Sequence, residues 1–174
     1  MTPNPAKARL EGIRIPLRSV NPIGDTLRIM AELVRKRRDH RTVRDLAVRI
    51  VQGCPPLDDV CRMQRVRAWV RDSVQYERDP RGGDLLHDPV TMIERVQAQG
   101  NVAGDCDDAS LLTSALLESL GIATRFTAIS TRPDGKLHHV AAEAKDKAGT
   151  WYWLDSFSQR LLPPLTTRTL RVNV

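Results

Sequence analysis

The 174-residue sequence has few aromatic residues and no long apolar run. Aromatic side chains make up 4% of the chain. None of them lies within the basic stretch 35–44, so the pattern of a stacking surface for single-stranded nucleic acid is missing. No segment approaches the length of a membrane span, and residues 1–18 lack the apolar centre of a signal peptide. We therefore expect a cytoplasmic product without a membrane span.

The sequence also has only three cysteines, at positions 54, 61 and 106. They form no CxxC pair, and no histidine lies at zinc-ligand spacing from them. Cys54 and Cys61 fall at a predicted helix end and a predicted helix start, where a buried and inert thiol is the common outcome. We therefore expect neither a disulfide scaffold nor a structural zinc site, and no cofactor. Only Cys106 has neighbours that suggest chemistry.

Acidic residues are fewer than basic ones, 21 against 27, which gives a net charge of +6 and a pI near 9.7. Such a charge favours polyanionic partners such as nucleic acid, anionic lipid or acidic wall polymers. The densest basic run is 35–38, followed by His40, Arg41 and Arg44. We interpret it as a solvated helix end whose cations suit the helix dipole. A nucleic-acid partner is therefore not expected, and a basic nucleic-acid module is kept as an alternative.

A chain of this length with 41% hydrophobic residues is long enough for one domain core and too short for two. We expect residues 1–58 to form an N-terminal extension packed on that core. Residues 9–20 alternate weakly and predict an edge strand, which the turn-like residues 21–25 end. Apolar residues spaced three and four apart then predict two helices, joined near Asp39 and ended by Gly53.

Residues 59–174 are expected to form the main domain. Asp58 is placed to cap a third helix that carries an apolar stripe. Residues 79–89, with the sequence DPRGGDLLHDP, predict a loop because of their proline and glycine content. A short helix from about Pro89 to Val96 should follow this loop.

The segment GDCDDASLLTSALLESLGI predicts a helix with both of its ends marked. Asp105 is a good N-cap, Asp108 lies three residues later in the capping-box position, and Gly121 is placed to end the helix. A continuous stripe of leucines predicts that the helix is buried. Cys106 then lies in the first turn, where the helix dipole and unpaired N–H groups favour a thiolate and can bind an oxyanion.

The aspartates around Cys106 act in the opposite direction. Asp105, Asp107 and Asp108 raise the pKa of a nearby thiol by their negative charge, so the thiolate needs an imidazolium partner. Three adjacent carboxylates also raise the alternative of a metal site. They lack the ligand periodicity of a calcium loop, so we expect capping and no metal.

Three strand-like runs after Gly121 predict an antiparallel meander: IATRFTAIS, LHHVAAEA and TWYWLDSF. A hairpin centred on Lys147 places His139 opposite Asp155 and Ala141 opposite Trp153. The two side chains then project from one face, within reach of a cross-strand hydrogen bond that orients the imidazole.

These signals predict a site with Cys106 as nucleophile, His139 as base and Asp155 as its orienter, in a row within hydrogen-bond reach. Trp151 and Trp153 lie on the same strand face as Asp155 and should shield its contact with His139 from water. The remaining histidines are interpreted as surface or packing residues: His40, His87 and His138.

The segments Gly104–Asp108, His139–Glu143 and Trp151–Asp155 resemble motifs of the transglutaminase-like superfamily. Its bacterial and phage members carry a GxCxD-type helix start, an H-A-W-x-E-like strand and a W-x-x-x-D-like strand, in this order. Together with the upstream WVRDSVQYERDP, the resemblance covers about residues 60–160. As a whole, the sequence resembles the transglutaminase-like proteins of Mu-like phages and prophages. One departure is Ala141, where the family often has an aromatic residue.

The resemblance implies a papain-like α+β fold with the cysteine helix packed on an antiparallel sheet. It also implies acyl transfer from an amide through an acyl-enzyme at Cys106. We expect hydrolysis rather than cross-linking, because nothing in the sequence predicts a tunnel that excludes water. The expected substrate is a peptide or a peptidoglycan-like amide. The alternative is a structural component of a phage tail tip that keeps the fold without catalysis, with virion proteins as its partners.

Overall fold

The computed structural model describes residues 12–15, 22–79, 84–158 and 163–174. Within them the helices are α1 (Pro22–Arg37), α2 (Arg41–Val51), α3 (Asp59–Ser73), α4 (Pro89–Gln99) and α5 (Cys106–Ser119). The strands are β1 (Ile13–Ile15), β2 (Val74–Tyr76), β3 (Asp84–Leu86), β4 (Val102–Gly104), β5 (Thr124–Ser130), β6 (His139–Lys145), β7 (Trp151–Leu154) and β8 (Arg168–Asn173). No helix of this described part is long and apolar enough to cross a membrane.

The N-terminal extension departs from the prediction at its first helix. Of the predicted strand 9–20, β1 is observed, paired with β3, and residues 9–11 and 16–20 lie outside the described part. The predicted turn at residues 22–25 was wrong, because this segment is the first turn of α1. Proline suits a first turn, where its missing N–H is not needed. The junction between α1 and α2 near Asp39 is as predicted.

The α2–α3 connection corrects the prediction for two of the cysteines. Cys54 and Cys61 form a disulfide, with their Cα atoms 5.8 Å apart. The tight turn after α2 brings the end of one helix beside the start of the next, and Asp58 caps α3 by accepting a 2.8 Å hydrogen bond from the Cys61 N–H. A separation of seven residues with no CxxC pattern carries no sequence signal for this closeness. The expectation of two inert thiols was therefore wrong.

Helix α5 lies at the centre of the core, packed on by α1, α2, α3, α4 and β6. Its leucines at 111, 112, 116 and 117 are fully buried. Burial of each such side chain contributes about 2 kcal/mol by the hydrophobic effect. The start of this helix is therefore held rigidly by packing along its length.

The main sheet has the order β7-β6-β5-β8, with antiparallel neighbours throughout. The meander of β5, β6 and β7 is as predicted, whereas β8 was not predicted. The register of the β6–β7 hairpin differs by two residues from the prediction: Glu143, not Ala141, faces Trp153. A shift of two keeps every side chain on its expected face, because side chains alternate along a strand.

A second pair of strands leads into the central helix. β2 and β4 are parallel, with Tyr76 opposite Gly104, and the Glu77 N–H donates a 2.9 Å hydrogen bond to the Gly104 carbonyl. α3 and β2 therefore position the chain immediately before α5.

Candidate active site

Cys106 is the first residue of α5, and the turn around it is built by two aspartates. The Asp105 carboxylate accepts hydrogen bonds from the N–H groups of Asp107 at 2.9 Å and Asp108 at 3.4 Å. Asp108 accepts in return from the Asp105 N–H at 3.3 Å. The predicted capping box is present. It satisfies N–H groups that have no partner inside the helix and fixes the direction in which Cys106 projects.

Gly104 precedes this turn at a point where the chain leaves no room for a side chain. A Cβ atom at this position would lie 2.9 Å from both the Cβ and the Oδ2 atom of Asp108. The strand end and the helix start therefore approach each other closely across the Asp108 side chain, and glycine permits this approach.

His139 and Asp155 meet where β6 begins and β7 ends. The His139 Nε2 atom lies 2.7 Å from Asp155 Oδ2, and Asp155 Oδ1 accepts a 2.9 Å hydrogen bond from the Phe157 N–H. Both oxygens of the orienting carboxylate are thus held. Because Nε2 is engaged, Nδ1 is the ring nitrogen left to exchange a proton with a substrate or a thiol.

Arg67 of α3 holds the backbone around Asp155, and the sequence did not predict Arg67 as a site residue. Its Nε donates to the Asp155 carbonyl oxygen at 2.8 Å, and its Nη2 donates to the Ser158 carbonyl oxygen. Burial lowers the pKa of Arg67, and the charge of Asp155 opposes that shift. A sequence signal existed: Arg67 follows Met63 by four residues and precedes Val70 by three, so it lies in the buried stripe of α3.

The two tryptophans of β7 differ in what they contact. Trp153 is 3% exposed, and its ring centroid lies 6.5 Å from that of His139. Trp151 is partly exposed and lies under the Arg125 guanidinium, 3.9 Å from the ring centroid. Trp153 is therefore the tryptophan placed to keep water from the His139–Asp155 contact.

Cys106 and His139 line one pocket of about 190 Å³. Apolar side chains from three elements form much of its wall: Ile23 and Leu27 of α1, Ala128 of β5, and Leu137 and Val140. Asp105, Asp107 and His138 complete it, together with Thr26. The N-terminal extension thus contributes directly to the candidate site.

The predicted row of three side chains is formed only in part. The Cys106 thiol lies 3.6 Å from Asp107 Oδ1, and among the described residues it makes no hydrogen bond with His139. Catalytic hydrogen bonds are often long in an unliganded enzyme and shorten when substrate binds. The structure therefore brings Cys106 to the same pocket as the His139–Asp155 pair without joining them.

The charge state of the site follows from burial and its carboxylates. Burial raises the pKa of the Cys106 thiol well above its usual value, the charges of Asp107 and Asp105 raise it further, and the Val140 N–H opposes them. Burial also raises the pKa of Asp105 to about 7, with Asp108 and Asp79 adding to the shift. Burial and these carboxylates therefore both favour the neutral form of the thiol.

Three side chains of the site have the donor chemistry to hold a metal ion. Ligand atoms of Asp105, Cys106 and Asp107 all lie within 4.8 Å of one another. The Asp105 carboxylate already accepts the two hydrogen bonds of the helix cap. These contacts support the capping role predicted for Asp105.

His87 agrees with the packing part of its prediction as a surface or packing residue, and its aspartate partner was not predicted. It is buried, and its Nδ1 lies 2.7 Å from Asp108 Oδ2, while its N–H donates to Asp108 Oδ1 at 2.9 Å. A separation of 21 residues gave no sequence signal for this pair. By contrast, His138 is exposed, and His40 caps α2 by accepting from the Thr42 N–H at 3.3 Å.

Comparison with known proteins identifies the family of this arrangement. The family model of the transglutaminase-like superfamily matches residues 44–156. A candidate protease from Parabacteroides distasonis superposes with a TM-score of 0.53 at 15% identity, over 74% of this chain and 26% of that one. A candidate cysteine protease from Cytophaga hutchinsonii gives a TM-score of 0.47 at 19% identity, over 89% of this chain and 47% of that one.

No curated protein matches the sequence. This chain spans about a quarter of the Parabacteroides protein, and at that identity the likeness concerns the fold alone. The predicted α+β fold with a transglutaminase-like domain is confirmed.

Proposed function

We propose that this chain, which belongs to the transglutaminase-like superfamily, is a Cys-His-Asp thiol enzyme that cleaves amide bonds through an acyl-enzyme. The observation that carries the proposal is a nucleophile and an oriented base on one pocket. Cys106 and His139 both line it, and His139 is held by Asp155 at 2.7 Å. The family supplies thiol acyl chemistry as the class of reaction.

The first half of the reaction transfers an acyl group to sulfur. His139 Nδ1 takes the proton of Cys106, and the thiolate attacks the carbonyl carbon of the amide. The backbone N–H of Cys106, at the helix start, stabilises the oxyanion. Protonated His139 then gives its proton to the leaving nitrogen, the C–N bond breaks, and a thioester on Cys106 remains.

The second half returns the enzyme to its starting state. Neutral His139 takes a proton from water, hydroxide attacks the thioester, and the thiol leaves with the proton returned by His139. An amine in place of water would give transamidation with the same residues. We favour hydrolysis because the side chain of His139 is 26% exposed, so water reaches the base.

The raised pKa of the Cys106 thiol sets a requirement on this mechanism. A bound substrate must bring His139 onto Cys106, because an ion pair with the imidazolium is what offsets burial and the charges of Asp107 and Asp105. Because both residues line the same pocket, we propose a movement of the His139 side chain.

The proposed substrate is a peptide amide with an aliphatic residue beside the bond to be cleaved. A pocket of about 190 Å³ with walls of Ile23, Leu27 and Leu137 suits one such side chain. A peptide of peptidoglycan is our first candidate. The chain would then act at a bacterial wall, as a cytoplasmic product that is incorporated into a phage virion.

A second proposal is a structural component of a phage tail tip that keeps this fold without turnover. The observation that favours it is that, in the described part of the chain, the Cys106 thiol makes no hydrogen bond with His139 and lies beside Asp107. The Cys54–Cys61 disulfide suits either proposal, because disulfides persist on virion surfaces and in other oxidising surroundings.

The proposed activity is tested by incubating the full chain with peptidoglycan peptides and aliphatic peptide amides, with the products read by mass spectrometry. We expect cleavage that is lost in Cys106→Ala, and incorporation of one ¹⁸O atom from labelled water into the carboxylic-acid product. Added amine distinguishes transamidation by its product mass. Cleavage that persists in Cys106→Ala would contradict the thiol mechanism, and a protein that cleaves none of these amides would favour the structural role.

A further inference from the structure

A second histidine–aspartate pair, His87 and Asp108, lies at the first turn of α5, and the proposed reaction does not use it. The His87 side chain is 7% exposed and that of Asp108 is fully buried. Asp108 Oδ2 accepts from His87 Nδ1 at 2.7 Å, and Asp108 Oδ1 accepts from the His87 N–H at 2.9 Å. The pair is too deeply buried to contact a substrate, so it can act only on other residues of the protein.

Asp108 is the residue through which such a role reaches Cys106. The same Oδ2 atom that meets His87 also accepts the 3.3 Å hydrogen bond from the Asp105 N–H, the residue immediately before the nucleophile. Gly104 lies against Asp108 so closely that no side chain fits between them. A shift of the Asp108 carboxylate would therefore move the backbone on both sides of Cys106.

His87 is itself attached to a fixed frame. Leu86 before it is fully buried in β3, and Asp88 after it caps α4 by accepting from the Val90 N–H at 2.9 Å. Asp88 also receives a 2.6 Å hydrogen bond from Arg37 of α1. His87 thus joins the start of α4 and the end of α1 to the start of α5.

We propose that His87 is a positioning residue of the active site, which holds Asp108 and through it the first helical turn that presents Cys106. A carboxylate removed from water needs donors on both oxygens, since an unsatisfied buried charge is costly. His87 supplies one donor to each oxygen. The proposal rests on the proposed function for its catalytic meaning, while its geometric claim concerns the thiol alone.

The test measures the alkylation rate of Cys106 by iodoacetamide in the full chain with the Cys54–Cys61 disulfide intact. The variants are His87→Leu, which removes the side-chain donor, and His87→Asn, whose amide nitrogen replaces Nδ1 as a donor. A third comparison adds His87→Leu to Asp108→Ala. The control is Leu46→Ala, a core truncation on α2, with unfolding midpoints measured for all variants.

We expect His87→Leu to slow alkylation about tenfold, the order expected for loss of one charge-assisted hydrogen bond. His87→Asn should stay within about threefold of wild type, since it restores the donor. Adding His87→Leu to Asp108→Ala should have no further effect, because both residues act through one contact. Leu46→Ala should lower the unfolding midpoint without slowing alkylation.

Three results would overturn the proposal: a wild-type rate in His87→Leu, an equal loss in His87→Asn, or an equal loss in Leu46→Ala. Failure of the proposed function is seen separately, in the peptide-cleavage assay, because alkylation needs no turnover. A chain that cleaves nothing but shows the expected alkylation pattern would keep His87 as the residue that positions Cys106.

Discussion

The described part of the chain holds two histidine–aspartate pairs with the same 2.7 Å contact, and they differ in where they lie. We call His139–Asp155 the front pair and His87–Asp108 the rear pair. The side chain of His139 is 26% exposed and lines the pocket, whereas that of His87 is 7% exposed and contacts Asp108 of α5. The front pair uses Nε2 and leaves Nδ1 for proton exchange, and the rear pair uses Nδ1 together with the backbone. We therefore expect the two equal contacts to serve different tasks, because burial decides which histidine can exchange a proton with a substrate.

The largest expected difference between the pairs is catalytic. His139→Ala should lower kcat/KM about 1000-fold, the usual order for loss of a general base, whereas His87→Asn should lower it less than about tenfold. His138→Ala is the matched control, since His138 lines the same pocket and is exposed. Steady-state cleavage of a peptide amide measures all three. Equal losses in His87→Asn and His139→Ala would remove the distinction between the pairs, and equal losses in His138→Ala and His139→Ala would contradict the assignment of His139 as the base.

The next effect concerns the cover of the front pair. Trp153→Ala should lower the free energy of unfolding by about 3 kcal/mol, as expected for truncation of a large buried aromatic. Trp151→Ala is the control and should cost less than half of that, because Trp151 is partly exposed under Arg125. Urea unfolding measures both values. Equal losses would contradict the assignment of Trp153 as the residue that shields His139.

A smaller effect concerns Asp105, in the turn beside the rear pair, and is seen in the pH dependence of the unfolding free energy. The pKa of Asp105 is about 7 in the folded chain and near 3.8 in the unfolded one. Protonation of Asp105 therefore stabilises the fold, and this contribution is complete below pH 3.8 and is lost as pH rises through about 7. Asp105→Asn keeps an N-cap without charge. The difference in unfolding free energy between this variant and wild type should therefore shift in favour of the variant by about 2 kcal/mol from about pH 5.5 to about pH 8.

Unfolding of both proteins in urea across this pH range gives the measurement, and the difference between them cancels the contributions of other titrating groups. A difference that stays constant with pH would show that Asp105 is ionised throughout.

The smallest effect concerns the thiol between the two pairs. Burial raises the pKa of Cys106 most, and Asp107 is the largest charge contribution. Asp107→Asn should lower that pKa and so speed alkylation at pH 8 severalfold. The pH dependence of alkylation, read by mass spectrometry at Cys106, tests this. An unchanged midpoint would mean that burial alone sets the pKa.

The parts that could be predicted from the sequence are those with local signals. The caps Asp105 and Asp108 and the leucine stripe predicted α5, and the alternation of β6 and β7 placed His139 and Asp155 on one face. The hairpin register was wrong by two residues, and the contact still forms because an even shift preserves the face.

The parts that could not be predicted depend on how separate elements approach each other. The Cys54–Cys61 disulfide depends on the turn between α2 and α3, and the His87–Asp108 pair joins residues 21 positions apart. Neither leaves a periodic or spacing signal. Arg67 is an intermediate case: a charge within the apolar stripe of α3 indicated a buried partner without naming Asp155.

The most direct test of the account is detection of an acyl-enzyme on Cys106. The full chain is mixed rapidly with an activated ester of an aliphatic acyl group, and its intact mass is followed over time, with His139→Ala and His138→Ala in parallel. The account predicts one acyl group, mapped to Cys106, that forms and hydrolyses in wild type and His138→Ala and forms far more slowly in His139→Ala. Acylation at another residue, or equal rates in all three proteins, would contradict it.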